Sequence, residues 1–291
     1  MSTPNINLSL GTAHFGADYG SIIKTSHAEI NLEKILYEAW SNNFRFLDTS
    51  CNYPNSELSL GGLQELHSKD WKITTKLKIN KEYISKKDIY AIYDEGFYGS
   101  LKQLKKDKVF SVLIHDFDLI NHDYAFNVAL EYLRDLKSKG LCEEIGVSVY
   151  DPAAIVAHEA INSIDSVQAP YNIFDTRAKA LVSNKLDGLK LEVRSIFLQG
   201  VLLNSFNKNK NPFFQKWKTI FNNYNQWLVS QELDPVEACI FFASMFNPEK
   251  MILGFKAPHE IAEFKRTFNS FVDIKIPEFH APLDLINPYK W

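Results

Sequence analysis

Four residues carry the chemistry this sequence offers: Asp48, Tyr53, Lys76 and His115. Three of them end short apolar runs. Phe44–Leu47 leads into Asp48, Trp71–Thr75 into Lys76, and Val109–Ile114 into His115. A single polar residue at a strand end is usually only a loop boundary. Three ionisable groups on three consecutive strand ends are harder to dismiss, because an isolated buried charge is costly and an Asp–Lys pair offsets much of that cost. Side chains alternate along a strand, so Phe46, Thr74 and Leu113 should share the inward face with those terminal groups. Tyr53 follows Asp48 by five residues, in the loop leaving the same run. An ammonium near a phenol stabilises phenolate and lowers the tyrosine pKa from about 10. Taken alone, Tyr53 reads as a packed loop aromatic; with Asp48 holding Lys76 in place, the group reads as a device for proton donation near neutral pH.

The elements that must position these groups follow from periodicity. Apolar runs at Leu8–Gly11, Phe44–Leu47, Trp71–Leu77, Val109–Ile114, Glu144–Val149, Ser166–Ala169, Leu191–Phe197 and Lys250–Gly254 read as strands. Helical spacing covers Asn31–Trp40, Leu58–Leu66, Ile89–Leu104, Tyr124–Leu136, Thr176–Asp187, Phe213–Leu228, Pro235–Phe246 and His259–Phe268. Lys137-Ser-Lys-Gly140 is a helix stop, and Asp151-Pro152 a helix start with Asp as N-cap. Eight strands alternating with helices predict βαβ units and a parallel sheet, which at this length is a (β/α)8 TIM barrel of class α/β. A doubly wound open sheet would call for a GxGxxG turn after an early strand, and Leu10–Gly16 lacks that spacing. No linker composition interrupts the chain. Residues 1–291 are expected to form one domain, with an extended tail from about 272 that wraps the surface.

Composition narrows the setting. The 291 residues carry a net charge of -3, with 45% hydrophobic residues. That balance argues against a nucleic-acid surface, and no apolar run reaches the ~20 residues of a membrane span. Three cysteines, Cys51, Cys142 and Cys239, form neither a CxxC pair nor a disulfide framework, so a cytoplasmic location is expected. No His/Cys cluster has metal-ligand spacing, and no metal is expected.

Phe46–Gly61, FLDTSCNYPNSELSLG, resembles the aldo-keto reductase superfamily in its Asp, its five-residue step to Tyr, and the Ser-Glu and Leu-Gly that follow. Further matches run in the family's order: LSLGTAHFG, ITTKL, LIHD, IGVSVYDP, VQAPYNIFD and VRSIFLQGVLL, spanning about Leu8 to Phe268. The resemblance implies reduction of an aldehyde or ketone with NADPH or NADH. In it Tyr53 is the proton donor, neutral His115 bonds the carbonyl oxygen, and Asp48 and Lys76 set the tyrosine's pKa. It also implies that Ser148 and Gln168 bond the nicotinamide carboxamide and that Arg194 stacks on the ring in place of a more usual tyrosine. Gly11 and Thr12 would border the ribose. Ser195, Phe197 and Leu198-Gln199-Gly200 would follow the pyrophosphate, and Gly254, Glu260 and Glu263 the adenosine. Read without the resemblance, Ser148 is a helix cap and Arg194 a surface ion pair.

Three departures stand out. Pro54 follows Tyr53 where the family usually has Gly, Val149 replaces an Asn, and Glu260 falls where NADPH-preferring members often carry Arg. His14, Phe15, Tyr19, Phe117, Tyr171 and Phe174 are candidate substrate-wall residues, since aromatic walls suit a pocket. GVSVYDP and VRSIFLQG resemble a bacterial branch associated with sugar or surface-polysaccharide metabolism, which implies a sugar-type carbonyl. Two other functions compete: a cofactor-binding regulatory subunit with little turnover, and a barrel lyase forming a Schiff base on Lys76. The expected partner is a small-molecule carbonyl, with neither nucleic acid nor membrane; the sequence leaves the oligomeric state open.

Overall fold

The computed structural model describes residues 4–16, 30–79, 85–115, 119–183, 188–203 and 211–291. Eight parallel strands close on themselves in sequence order. They are β1 (Asn7–Gly11), β2 (Phe46–Asp48), β3 (Lys72–Leu77), β4 (Ser111–Ile114), β5 (Glu144–Ser148), β6 (Ser166–Pro170), β7 (Lys190–Arg194) and β8 (Lys250–Leu253), with β8 pairing back onto β1. The helices among the described residues are α1 (Leu32–Ser41), α2 (Ser56–Gly61), α3 (Gln64–Ser68), α4 (Lys86–Leu104), α5 (Asp123–Ser138), α6 (Pro152–Val156), α7 (Lys179–Ser183), α8 (Lys218–Ser230), α9 (Pro235–Met245), α10 (Pro258–Asn269) and α11 (Leu283–Ile286). The TIM barrel read from the alternation is therefore the observed fold.

Strand alternation divides the interior into two chemically different regions. Leu8, Leu10, Leu47, Ile73, Val112, Ile145, Val147, Val167, Leu191, Val193 and Met251 join the apolar core shared with the helices. Each such side chain contributes about 1.5–3 kcal/mol by leaving water. The intervening positions fill the barrel with polar groups: Ser9, Thr74, Ser111, Ser148, Ser166, Gln168, Glu192 and Lys250 are all buried. Barrel interiors are usually dominated by branched aliphatics. Here Ser148, Gln168, Glu192 and Lys250 bond one another, while the hydroxyls of Ser9, Ser111 and Ser166 have no hydrogen-bond partner.

Local sequence explains most boundaries. Asn31 caps α1 by accepting from Lys34 N, Ser85 and Asp88 form a capping box on α4, and Asp151 accepts from Ala153 N at the start of α6. Gly140, at φ 71°, follows α5 as the stop signal implied. The expected helix over 58–66 is instead two, because Leu63 is extended at its junction. The first turn of the expected 213–228 helix is a 3-10 segment, Pro212–Trp217, before α8 begins. Of the expected 176–187 helix only Lys179–Ser183 is helical, and residues 184–187 lie outside the described ones. The tail packs along α8: Trp227 Nε1 donates to Lys275 O at 3.2 Å, and Phe279 meets Phe174, Tyr224 and Trp227. No helix among the described residues is long and apolar enough to cross a membrane.

Candidate active site

At the carboxyl ends of the strands, Asp48, Lys76, His115 and Tyr53 come together. Asp48 closes β2, Lys76 is the penultimate residue of β3, and His115 follows β4. Lys76 Nζ lies 2.6 Å from Asp48 Oδ1 and donates to Thr49 O at 2.8 Å, with the lysine fully buried. The Tyr53 ring lies above it, its centroid 5.1 Å from Nζ. Tyr53 and His115 meet edge to face at 5.9 Å. Ser50 Oγ stands 3.3 Å from His115 Nδ1 and 3.1 Å from Lys76 O, so one hydroxyl touches both partners of the tyrosine.

The loop carrying Tyr53 is held on three sides. Ser56 N donates to Tyr53 O at 3.1 Å, and Asn55 has φ 53° and ψ 3°. With proline at the second position and asparagine left-handed at the third, residues 53–56 form a type II turn. The departure at Pro54 thus stiffens the turn. Below it Ser56 Oγ donates to Thr12 O at 2.8 Å, and Thr12 Oγ1 donates to Asp48 O at 3.0 Å. Gly16 approaches so closely that a Cβ there would stand 1.9 Å from Pro54 O.

Electrostatics correct one expectation. The sequence reading has Lys76 lowering the Tyr53 pKa; in the structure it is raised. Burial is the larger cause and the Asp48 carboxylate adds to it, while Arg194 opposes them in part. The Asp48 carboxylate that holds Lys76 also acts on the phenol, and its negative charge disfavours phenolate. Tyr53 is therefore held as a neutral phenol. His115 is pushed well below its usual 6.5, by burial first and then by the cations Lys76, Arg194 and Lys78, and it is neutral at pH 7.

The residues assigned by resemblance to the cofactor divide in two. Ser148 Oγ donates to Gln168 Oε1 at 3.2 Å, and Gln168 Nε2 donates to Asp48 Oδ2 at 2.7 Å, so both are buried extensions of the Asp48–Lys76 pair. Thr12 is buried beneath the Tyr53 turn, at the end of Gly11's strand. Arg194 lies over the Tyr150 ring at 4.4 Å, donates to Val149 O at 3.1 Å, and keeps a buried Nε–H with no acceptor. It is not the surface ion pair of the simpler reading, nor is Ser148 a helix cap. Ser195, Leu198 and Gln199 all have positive φ, and Gly200 follows at 85°. This left-handed run spans the loop that Phe197 shares, and non-glycine residues hold such angles only where neighbours enforce them. Asn172 Nδ2 does so by bonding Ser195 O at 3.1 Å. Near β8, Gly254 is exposed, Glu263 is exposed, and Glu260 Oε2 accepts from the backbone of Lys256 at 2.6 Å and Ala257 at 3.3 Å.

Several expected wall residues are packed elsewhere. Tyr171 stacks on Phe242 of α9 and on Phe246, because it falls one step out of phase with inward Pro170. Phe174 is buried against Phe221, Tyr224 and Phe279. Phe15 is fully buried in the core, and His14 Nε2 pairs with Phe255 O at 2.6 Å. Tyr19 and Phe117 lie outside the described residues. Conversely, the sequence reading passed over Glu192 and Lys250. Glu192 Oε2 meets Gln168 Nε2 at 3.2 Å, and Lys250 Nζ meets Glu192 Oε1 at 2.6 Å. The signal was present in Lys-Leu-Glu-Val-Arg, residues 190–194, where charged and apolar residues alternate with period two. Among the described residues no group of three or more His, Cys, Asp or Glu could hold a metal ion.

The family model described as the aldo/keto reductase family matches residues 7–279. No curated protein sequence matches the chain. Among solved structures, the glycerol dehydrogenase AKR11B4 from Gluconobacter oxydans superposes with TM-score 0.69 at 16% identity, covering 91% of this chain and 87% of that one. The aldo-keto reductase AKR11C1 from Bacillus halodurans, in its holo form, gives 0.67 at 18% identity over 97% and 99%. An aldo/keto reductase from Klebsiella pneumoniae in complex with NADP and acetate gives 0.62 at 15% identity over 91% and 87%.

Proposed function

The chain belongs to the aldo/keto reductase family of NAD(P)H-dependent oxidoreductases, and we propose that its barrel mouth reduces an aldehyde or ketone with Tyr53 as the proton donor. One observation carries this reading: the Tyr53 ring stands 5.1 Å from the Nζ of a buried Lys76–Asp48 pair and meets His115 edge to face.

The mouth fits a dinucleotide. Arg194 offers a planar guanidinium whose Nε–H lacks an acceptor, and exposed Gly254 leaves room at the far end. Ser148 and Gln168 would hold the carboxamide, Arg194 the ring, Gly11 and Thr12 the ribose, Ser195, Phe197, Gln199 and Gly200 the pyrophosphate, and Gly254, Glu260 and Glu263 the adenosine. NADPH or NADH, when bound, supplies the hydride.

The chain's own residues do the rest. Tyr53 gives its phenolic proton to the carbonyl oxygen as negative charge develops there. Lys76 has three N–H groups, of which Asp48 and Thr49 O take two; the third stabilises the phenolate that remains. His115 orients the carbonyl by donating from Nε2. This tautomer forms when Ser50 turns its proton from Lys76 O to Nδ1. An intact Asp48–Tyr53–Lys76–His115 set disfavours a purely regulatory role. Lys76 is fully buried and its Nζ is bonded to Asp48 and Thr49 O, an arrangement that disfavours a Schiff-base lyase.

We assign the chain to one folding unit in the cytoplasm, where its free thiols stay reduced. A sugar-type carbonyl is the substrate class proposed. The decisive test is Tyr53→Phe, assayed with a carbonyl panel that includes keto- and aldo-sugars. Turnover should be abolished while NAD(P)H still binds by fluorescence titration. Full activity in this variant would overturn the assignment.

A further inference from the structure

We propose that Glu192, held in place by Lys250, is a positioning residue that fixes Gln168 so that its amide oxygen serves the cofactor's carboxamide. The inference rests on the cofactor reading given above. Ser148, Gln168, Glu192 and Lys250 are register partners across β5, β6, β7 and β8. Because strands in a barrel are staggered, this row climbs from the first residue of β8 to the last residue of β5 at the mouth. Each member is at least nine-tenths buried.

Gln168 has two N–H groups and both face carboxylates: Asp48 Oδ2 at 2.7 Å and Glu192 Oε2 at 3.2 Å. A flipped amide would set its oxygen against two carboxylates, so only one orientation is stable. It leaves Oε1 on the side where Ser148 donates, at the end of β5. Asp48 alone would anchor only one N–H; Glu192 supplies the second and removes the freedom to rotate. Lys250 makes the arrangement affordable in a buried setting, since its ammonium pairs with Glu192 Oε1 at 2.6 Å and covers the Phe46 ring at 4.5 Å. The chain Lys76–Asp48–Gln168–Glu192–Lys250 is thus charge-balanced, each carboxylate with one ammonium and one amide N–H.

The test compares the wild type with the double variant Glu192→Leu/Lys250→Met, which removes both charges together and leaves neither uncompensated. NADPH and NADH dissociation constants are measured by fluorescence titration, and KM for cofactor is separated from kcat at saturating cofactor. The variant should bind cofactor at least tenfold more weakly, with kcat at saturation within about twofold of wild type. Unchanged affinity in a folded variant overturns the proposal. A wild type that binds neither cofactor overturns instead the function on which it rests. Should the variant fail to fold, hydrogen exchange of the Gln168 side-chain amide in the wild type decides. Strong protection of both hydrogens supports the two-carboxylate anchor, and rapid exchange overturns it.

Discussion

At the residue scale, the site works through what burial does to two neutral groups. Tyr53 keeps its proton above its ordinary pKa of 10.0, through burial first and Asp48 second. In the reductive direction kcat/KM should therefore stay level through pH 9 and fall only beyond the usual tyrosine range. A pH–rate profile checks this, and a decline between pH 7 and 8 would show a tyrosine shifted the other way. His115 gives a stability prediction. Its folded pKa lies well below 6.5, so between those values the unfolded chain binds more protons than the folded one. Its contribution to stability is complete above pH 6.5 and is lost as pH falls below it, at up to about 1.4 kcal/mol per pH unit. Denaturant melts of wild type and His115→Asn from pH 7 to 5 should show the variant's stability declining less steeply.

At the element scale, the loop carrying Tyr53 owes its position to a glycine on another strand's loop. Gly16 follows β1, and a Cβ there would lie 1.9 Å from Pro54 O and 2.4 Å from Ser56 N, in the type II turn that carries Tyr53. Gly16→Ala must push that backbone away. Overpacking of this kind costs about 1–3 kcal/mol, and an ångström of misplacement at a reacting group costs about 100-fold in rate. Turnover should fall by that order while the variant remains folded, as followed by circular dichroism and kcat. Wild-type kcat in Gly16→Ala would show that the turn is not set by this contact. In the sequence Gly16 is only the last residue of LSLGTAHFG, since a close approach between β1's loop and β2's loop has no local signature.

At the scale of the whole molecule, the tail packs on α8 and on the loop that follows β6. Phe279 joins an aromatic cluster with Phe174, Tyr224 and Trp227, 5.6–5.9 Å between ring centroids. Phe279→Ala should cost about 2 kcal/mol, less than the 3–5 of a fully buried phenylalanine because the ring is half-exposed. Thermal unfolding measures it, and activity should be unchanged, since the ring partners of Phe279 are Phe174, Tyr224 and Trp227 and none of the four candidate catalytic residues. This packing also corrects the reading of Phe174 and Tyr171 as pocket wall.

By itself the sequence determined the barrel and singled out the candidate catalytic set. Hydrophobic periodicity of two and 3.6 is a local property, and Asp48, Lys76 and His115 each end an apolar run that can be read residue by residue. The tertiary structure decided what those groups do to one another. Only closure of eight staggered strands brings Gln168 between Asp48 and Glu192, 120 and 24 residues away along the chain. Only the resulting burial sets the direction of the Tyr53 shift. Protonation depends on the field and solvent exclusion of the assembled neighbourhood, and neither exists until distant strands meet.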